Sequence, residues 1–341
     1  MERLLASCSS GTPDIASRYN SYMPGHRFAD LKGVYAPILT PFRPEDGEVE
    51  YTWMARHLGY LRAHGCTGIV PCGTNGEAPS LSVAERMRVV ETAIAAAGGM
   101  PVIAGTGAAA LPDAVALTRH AFAAGANGVL ILPPFYFKRP ADAALAAWYQ
   151  RLFDAAVPAG ALVLLYHIPQ LSAIPITNGL LELLMRSHGE LIFGVKDSTG
   201  DPAELQRFRT GFPELIYYAG SDHRVAEACL AGGAGSISAW ANVFPDLIRD
   251  VQQAAWIGHD PAAAQARLSE ARRCIDPYPM QAAVKHAVRL VAGLPATAVR
   301  PPQAELTAPE RASLSAVLAS KLPDWRPEGN EISLLPIEHA D

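Results

Sequence analysis

The sequence predicts an α/β chain folded as a TIM (β/α)8 barrel with a C-terminal helical region. Three features carry that prediction. Eight short apolar runs rich in β-branched residues recur between residues 33 and 239. Ala-rich stretches with apolar residues at three- and four-residue spacing separate them, the βα alternation of a parallel sheet. The runs are nearly continuous in apolar character, as expected of strands covered on both faces. Eight such units fit a closed barrel better than a six-stranded open sheet. A chain of 341 residues holds a barrel of roughly 250 residues plus an appendage.

The first 30 residues contain no apolar segment followed by a cleavage site, so they read as an extension and not a secretory signal. The strands then follow in order as GVYAPIL (33–39), TGIVPCG (67–73), PVIAG (101–105), GVLILP (128–133), ALVLLYH (161–167), LIFGVK (191–196), LIYYAG (215–220) and AGSISA (234–239). Between them lie amphipathic segments such as SVAERMRVVETAIAAAG (82–98), several ending in the glycine that favours a helix C-terminus (AHG, AAG, AGG). After about residue 240 the pattern is helical only. Pro245, Pro261, Pro279 and Pro309 fall at or near first turns, where a missing N–H does no harm. The expected organisation is an extension (1–30), a barrel (31–242), a helical region (243–322) and a Pro-rich tail (323–341).

Half of the residues are hydrophobic and 18% are charged, which supports a substantial core. The formal charge is −5 and the basic residues are dispersed, which argues against a nucleic-acid partner. No apolar run approaches the roughly 18 residues of a membrane span. The five cysteines lack CxxC spacing, which argues against a disulfide framework or zinc knuckle and fits a reducing, cytoplasmic setting. Ten scattered histidines without HxH or HExxH spacing give a metal centre no support.

In a parallel barrel the chemistry gathers at the C-terminal ends of the strands. Lys196 stands at the end of the sixth strand, Tyr166 at the end of the fifth, and the second runs into the turn CGTNGEAPSL, which carries Thr74. Lys196 reads either as a strand cap facing water or as an amine wanted for chemistry. A lysine desolvated at an apolar barrel mouth gains free-amine character and can form a Schiff base with a carbonyl. Tyr166 then reads as a proton carrier relayed through Thr74, or as a strand residue with a satisfied hydroxyl. The turn 73–76 offers a nest of N–H groups for a carboxylate, or is a tight turn in which Glu77 supports a helix start. AGTG (104–107) lacks the GxGxxG frame of a phosphate loop. Asp222 reads equally as a helix cap or a ligand. His167, alternating away from Tyr166, reads as structural.

The motifs GTNGEAPSL, PFYF, YHIP, GVKDSTGD and GSISAWAN, in this order and spacing over residues 30 to about 320, resemble the dihydrodipicolinate synthase / N-acetylneuraminate lyase family of pyruvate-dependent class I aldolases. The resemblance implies a cofactor-free lyase assembled as a homotetramer, a dimer of dimers. It implies Lys196 as the Schiff-base lysine, Tyr166 as the proton-transferring tyrosine and Thr74 as its relay, with Thr74 and Asn75 binding the substrate carboxylate. It also implies that Tyr136 completes a neighbouring subunit's relay, and that Gly220 and Ile237 line the pocket.

Members that use aspartate semialdehyde carry an arginine where this chain has Leu171, and a leucine cannot grip a carboxylate. The acidic pair and serine of sialic acid lyases are reduced here to Asp222, beside His223 and Ala239, while Ser198 is left as a hydroxyl contact. The expected substrate is therefore a small 2-oxo acid, such as a 2-keto-3-deoxy sugar acid or a 4-hydroxy-2-oxo acid. Cleavage and dehydration both stay open. The alternatives are 4-hydroxy-tetrahydrodipicolinate synthase, N-acetylneuraminate lyase, a metal- or phosphate-dependent barrel, and a barrel that only senses a keto acid.

Overall fold

In the computed structural model, which describes residues 31–322, all eight expected strands form. They are β1 (Gly33–Ala36), β2 (Gly68–Ile69), β3 (Ile103–Gly105), β4 (Gly128–Ile131), β5 (Val163–His167), β6 (Ile192–Asp197), β7 (Ile216–Ala219) and β8 (Gly235–Ile237). Most are shorter than the apolar runs that signalled them. Pro37 follows β1 and Pro71 follows β2, and neither can donate to a ladder. The strands are parallel in the order β2-β1-β8-β7-β6-β5-β4-β3, and a parallel bridge between Ile69 and Val102 closes the ring. This is a TIM barrel. The expected extension (1–30) and tail (323–341) lie outside the described residues.

Side chains alternate between two cores. Tyr35, Val70, Leu130, Leu164, Ile216 and Tyr218 fill the barrel interior, where the Tyr35 and Tyr218 rings meet edge to face at 5.4 Å. The alternate residues, such as Val163, Leu165 and Val195, face the surrounding helices. These are α1 (Tyr51–Ala63), α2 (Val83–Ala96), α3 (Leu111–Ala123), α4 (Asp142–Ala156), the one-turn α5 (Pro169–Ser172), α6 (Asn178–His188), α7 (Pro202–Gly211) and α8 (Val225–Leu230). Local signals set their ends. Ser82 and Glu85 form a reciprocal capping box on α2, and Gly65 follows α1 with φ +83°.

The C-terminal helical region comprises α9 (Pro245–Trp256), α10 (Ala262–Arg273), α11 (Met280–Val291) and α12 (Ala308–Lys321). Pro245 opens α9, Pro261 and Pro279 cap α10 and α11, and Pro309 lies in the first turn of α12. Gln252 on α9 donates to the Gly33 carbonyl at 3.2 Å and to Ser236 Oγ at 3.1 Å, fastening the β1–β8 seam from outside. Among the described residues, no helix is long and apolar enough to cross a membrane. The described cysteines, Cys66, Cys72, Cys229 and Cys274, are buried free thiols.

Candidate active site

The register of the sheet puts Tyr166 of β5, Lys196 of β6 and Tyr218 of β7 side by side on the inner face. Lys196 is 3% exposed, so it does not cap the strand into water. Its Nζ lies over the Tyr166 ring, 4.1 Å from the centroid. Among the described residues no carboxylate forms an ion pair with it. A buried cation without a counter-ion is costly, and the face of a phenol recovers part of that cost.

Tyr166 is also buried, at 4% exposure, and its hydroxyl lies 3.1 Å from Thr74 Oγ1. Burial opposes loss of the phenolic proton. The charge of Lys196, with hydrogen bonding from Thr74, Ser198 and Lys196, outweighs it and holds the phenol below its usual value. Lysine, phenol and hydroxyl thus form one connected group at the rim.

Thr74 belongs to a turn with unusual backbone. Cys72 and Glu77, neither of them glycine, flank residues 73–76 with φ of +57° and +51°. Among the described residues, the N–H groups of Thr74, Asn75 and Gly76 donate to no partner, although Asn75 and Gly76 are buried. Successive free N–H donors in a turn are a geometry that can receive an anion. The turn is packed too tightly for alternatives at Gly76, where a Cβ would stand 2.8 Å from the Ile38 carbonyl oxygen. Glu77 does not support a helix start. It sits at the N-cap position of a 3₁₀ segment (Ala78–Ser80) without a side-chain cap, and its carboxylate pairs instead with Lys285 at 2.6 Å.

The other residues singled out from sequence divide into two groups. Ile237 is fully buried in the barrel interior, and Ser198, half-buried, follows β6. Gly220 is obligatory: a Cβ there would overlap Ser198 Oγ and come within 2.8 Å of the Asp197 carbonyl oxygen. Asp222 is buried but does not cap the 3₁₀ segment that it opens. Its carboxylate accepts from Trp240 N at 3.4 Å and pairs with Arg272 on α10 at 3.5 Å. Burial raises its proton affinity, with Arg272 opposing. His167 points outward, accepts from Ile176 N at 3.0 Å and lies 3.1 Å from Glu204.

Leu171 and Tyr136 are the exposed members of the set. Leu171 is 61% exposed on α5, and Tyr136 is 72% exposed in the loop after β4, edge to face with Phe137 at 5.3 Å. The residues that sequence reasoning missed are Glu77's partner Lys285, together with Gln281 and Arg300. Lys285 alone leaves a signal, a lysine on the otherwise apolar stripe of MQAAVKHAVRLV.

A family model described as the dihydrodipicolinate synthetase family matches residues 30–321. The chain belongs to this family. It is an enzyme of the lyase class, as members of the dihydrodipicolinate synthetase family are. An uncharacterised DapA-like lyase of Chloroflexus aurantiacus is 42% identical over 288 residues, covering 84% of this chain and 96% of the relative. A 4-hydroxy-tetrahydrodipicolinate synthase of Roseobacter denitrificans is 37% identical over 267 residues, covering 76% and 87%. Among solved structures, a prophage protein of the family from E. coli K12, in complex with pyruvate, superposes with a TM-score of 0.79 at 26% identity, covering 85% of this chain and 98% of that one.

Proposed function

We propose that the chain is a Schiff-base-forming lyase, an aldolase or dehydratase acting on a small 2-oxo acid with pyruvate as product or donor. One observation carries this reading: the buried Lys196 amine, held over Tyr166 while Thr74 bonds the phenol. The amine attacks the ketone, and loss of water gives an iminium that draws electrons from the neighbouring carbon. In cleavage, the bond one carbon further out breaks, the departing aldehyde's hydroxyl proton passes to the phenolate through Thr74, and protonation of the enamine precedes hydrolysis to pyruvate. In dehydration, the carbon next to the iminium first gives up a proton, and the resulting enamine expels hydroxide from the carbon beyond it, so that the two leave as water. No further cofactor is required.

The substrate carboxylate fits the orphan N–H groups at Thr74, Asn75 and Gly76. Ser198, held against Gly220, is assigned together with Asp222 and Ile237 to the rest of the substrate. Leu171 supplies no guanidinium for a distal carboxylate, which favours a neutral polyol or aldehyde end over aspartate semialdehyde. The exposed Tyr136–Phe137 pair supports a homotetramer in which Tyr136 of one subunit completes another's relay. Buried free thiols are consistent with work in the cytoplasm.

A panel of 2-keto-3-deoxy acids and 4-hydroxy-2-oxo acids tests the reading, with pyruvate release and water loss followed in parallel. Borohydride should inactivate the enzyme irreversibly only when the 2-oxo acid is present. Turnover that borohydride never interrupts would refute the covalent route. Binding of keto acids without any product would favour a sensing barrel instead.

A further inference from the structure

The C-terminal helical region reaches back to the turn that holds Thr74. Gln281 and Lys285 stand four residues apart on α11 and share one face. Gln281 Nε2 donates to the Thr74 carbonyl at 3.3 Å. Lys285 Nζ donates to Glu77 Oε1 and to the Ala298 carbonyl, both at 2.6 Å, and lies 4.6 Å from the centroid of the Phe42 ring. The second oxygen of Glu77 accepts from Arg300 N at 3.0 Å. From the barrel side, Thr40 Oγ1 donates to the Gly76 carbonyl at 2.6 Å.

Stability alone is a poor reason for this construction. Glu77 and Lys285 are each 2% exposed, and a buried ion pair is often no more stabilising than an apolar pair of the same volume. The pair does supply direction. Two non-glycine residues in the left-handed region are held only where the surroundings over-determine them. At Glu77 those surroundings are α11 and the segment at Ala298–Arg300. Released from them, the turn would relax, and both the Thr74 hydroxyl and the orphan N–H groups would lose their aim.

We propose that Gln281 and Lys285 are positioning residues, through which α11 holds the relay turn so that Thr74 meets Tyr166 and the Thr74–Gly76 amides face the substrate carboxylate. This rests on the Schiff-base reading above. Neither residue touches the reacting atoms. The C-terminal region is therefore part of the active-site machinery and not only a cover for the barrel.

The full-length Gln281→Leu variant gives the cleanest test, because it removes one hydrogen bond without orphaning a buried charge. Three quantities are read: amide exchange across residues 70–81, the pyruvate concentration that half-saturates borohydride trapping, and deuterium exchange at the pyruvate methyl. Faster amide exchange is expected, with half-saturation raised about fivefold, the equivalent of one net hydrogen bond, and slower methyl exchange. Because Lys285→Met leaves Glu77 buried and unpaired, it is paired with Glu77→Gln in a charge-free double variant, which should show the same rise. A merely structural role predicts a lower melting temperature with half-saturation unmoved, and that result overturns the proposal. If the wild type traps pyruvate and Gln281→Leu matches it in all three quantities, the proposal alone falls. If the wild type traps nothing, the Schiff-base reading falls and takes the proposal with it.

Discussion

Replacing Tyr166 with Phe separates what the ring does from what the hydroxyl does. The ring beneath the Lys196 Nζ, 4.1 Å from it, is kept, while the hydroxyl's bond to Thr74 Oγ1 at 3.1 Å and its interactions with Ser198 and Lys196 are lost. Such a bond contributes about 1 kcal/mol net. Thr74 is half-buried, so its hydroxyl can turn to water and adds little penalty of its own. In a chain of this size each kcal/mol lost should lower the melting temperature by only about 1–2 °C. The chemical loss is far larger. Positioned proton transfer is worth about 10²–10⁴ in rate, or about 3–5 kcal/mol of barrier. The assay follows borohydride trapping of pyruvate beside deuterium exchange at its methyl group. Trapping should persist while exchange falls by at least about 10². Exchange at the wild-type rate would show that the phenol carries no proton, and abolished trapping would show that it is needed for imine formation itself.

Lys196→Ala should fold normally, since it deletes an amine that no carboxylate pairs with among the described residues, and should abolish trapping. Because the Lys196 charge holds the Tyr166 phenol down, spectroscopic titration of that variant should show the phenol moved upward; an unmoved titration would break the assigned coupling. Gly220→Ala should destabilise the fold by about 1–3 kcal/mol in urea unfolding, because its Cβ meets Ser198 Oγ and the Asp197 carbonyl; unchanged stability would contradict that packing. His57, fully buried with Nε2 2.9 Å from the Asn242 carbonyl, is pushed down by burial from 6.5 to about 4. The unfolded chain then binds the extra proton between those values, so this contribution is complete above pH 6.5 and is lost as pH falls through about 4. It amounts to on the order of 3 kcal/mol. Urea unfolding at pH 7 and pH 4 should show that difference shrinking in His57→Gln, and equal pH dependence in both proteins would refute it.

The barrel was legible because parallel strands covered on both faces carry continuous apolar runs, and eight of these alternate with helical spacing. Their ends were not legible. TGIVPCG reads as seven strand residues, but regular strand covers only Gly68–Ile69: Val70 and Pro71 still bond to neighbouring strands, Pro71 has no N–H to give, and Cys72 turns into left-handed backbone. Lys196 and Tyr166 stood out because costly residue types end apolar strands, and the register then brings them together. The partners of Glu77 and Asp222 could not be read in that way. Lys285 lies 208 residues from Glu77, and Arg272 reaches Asp222 from α10, so both pairings exist only once the C-terminal region has packed. Local pattern reads Glu77 as support for a helix start and Asp222 equally as a cap or a ligand, whereas long-range ion pairs set the surroundings of both.

The most direct measurement is the site of a covalent label. The enzyme is incubated with pyruvate, reduced with borohydride, digested and mapped by tandem mass spectrometry. The reduced pyruvyl adduct should fall on Lys196 alone, one per chain, and be absent without pyruvate. A label on any other lysine, or an unlabelled protein that still turns over its substrate, would contradict a buried amine as the group that takes up the ketone.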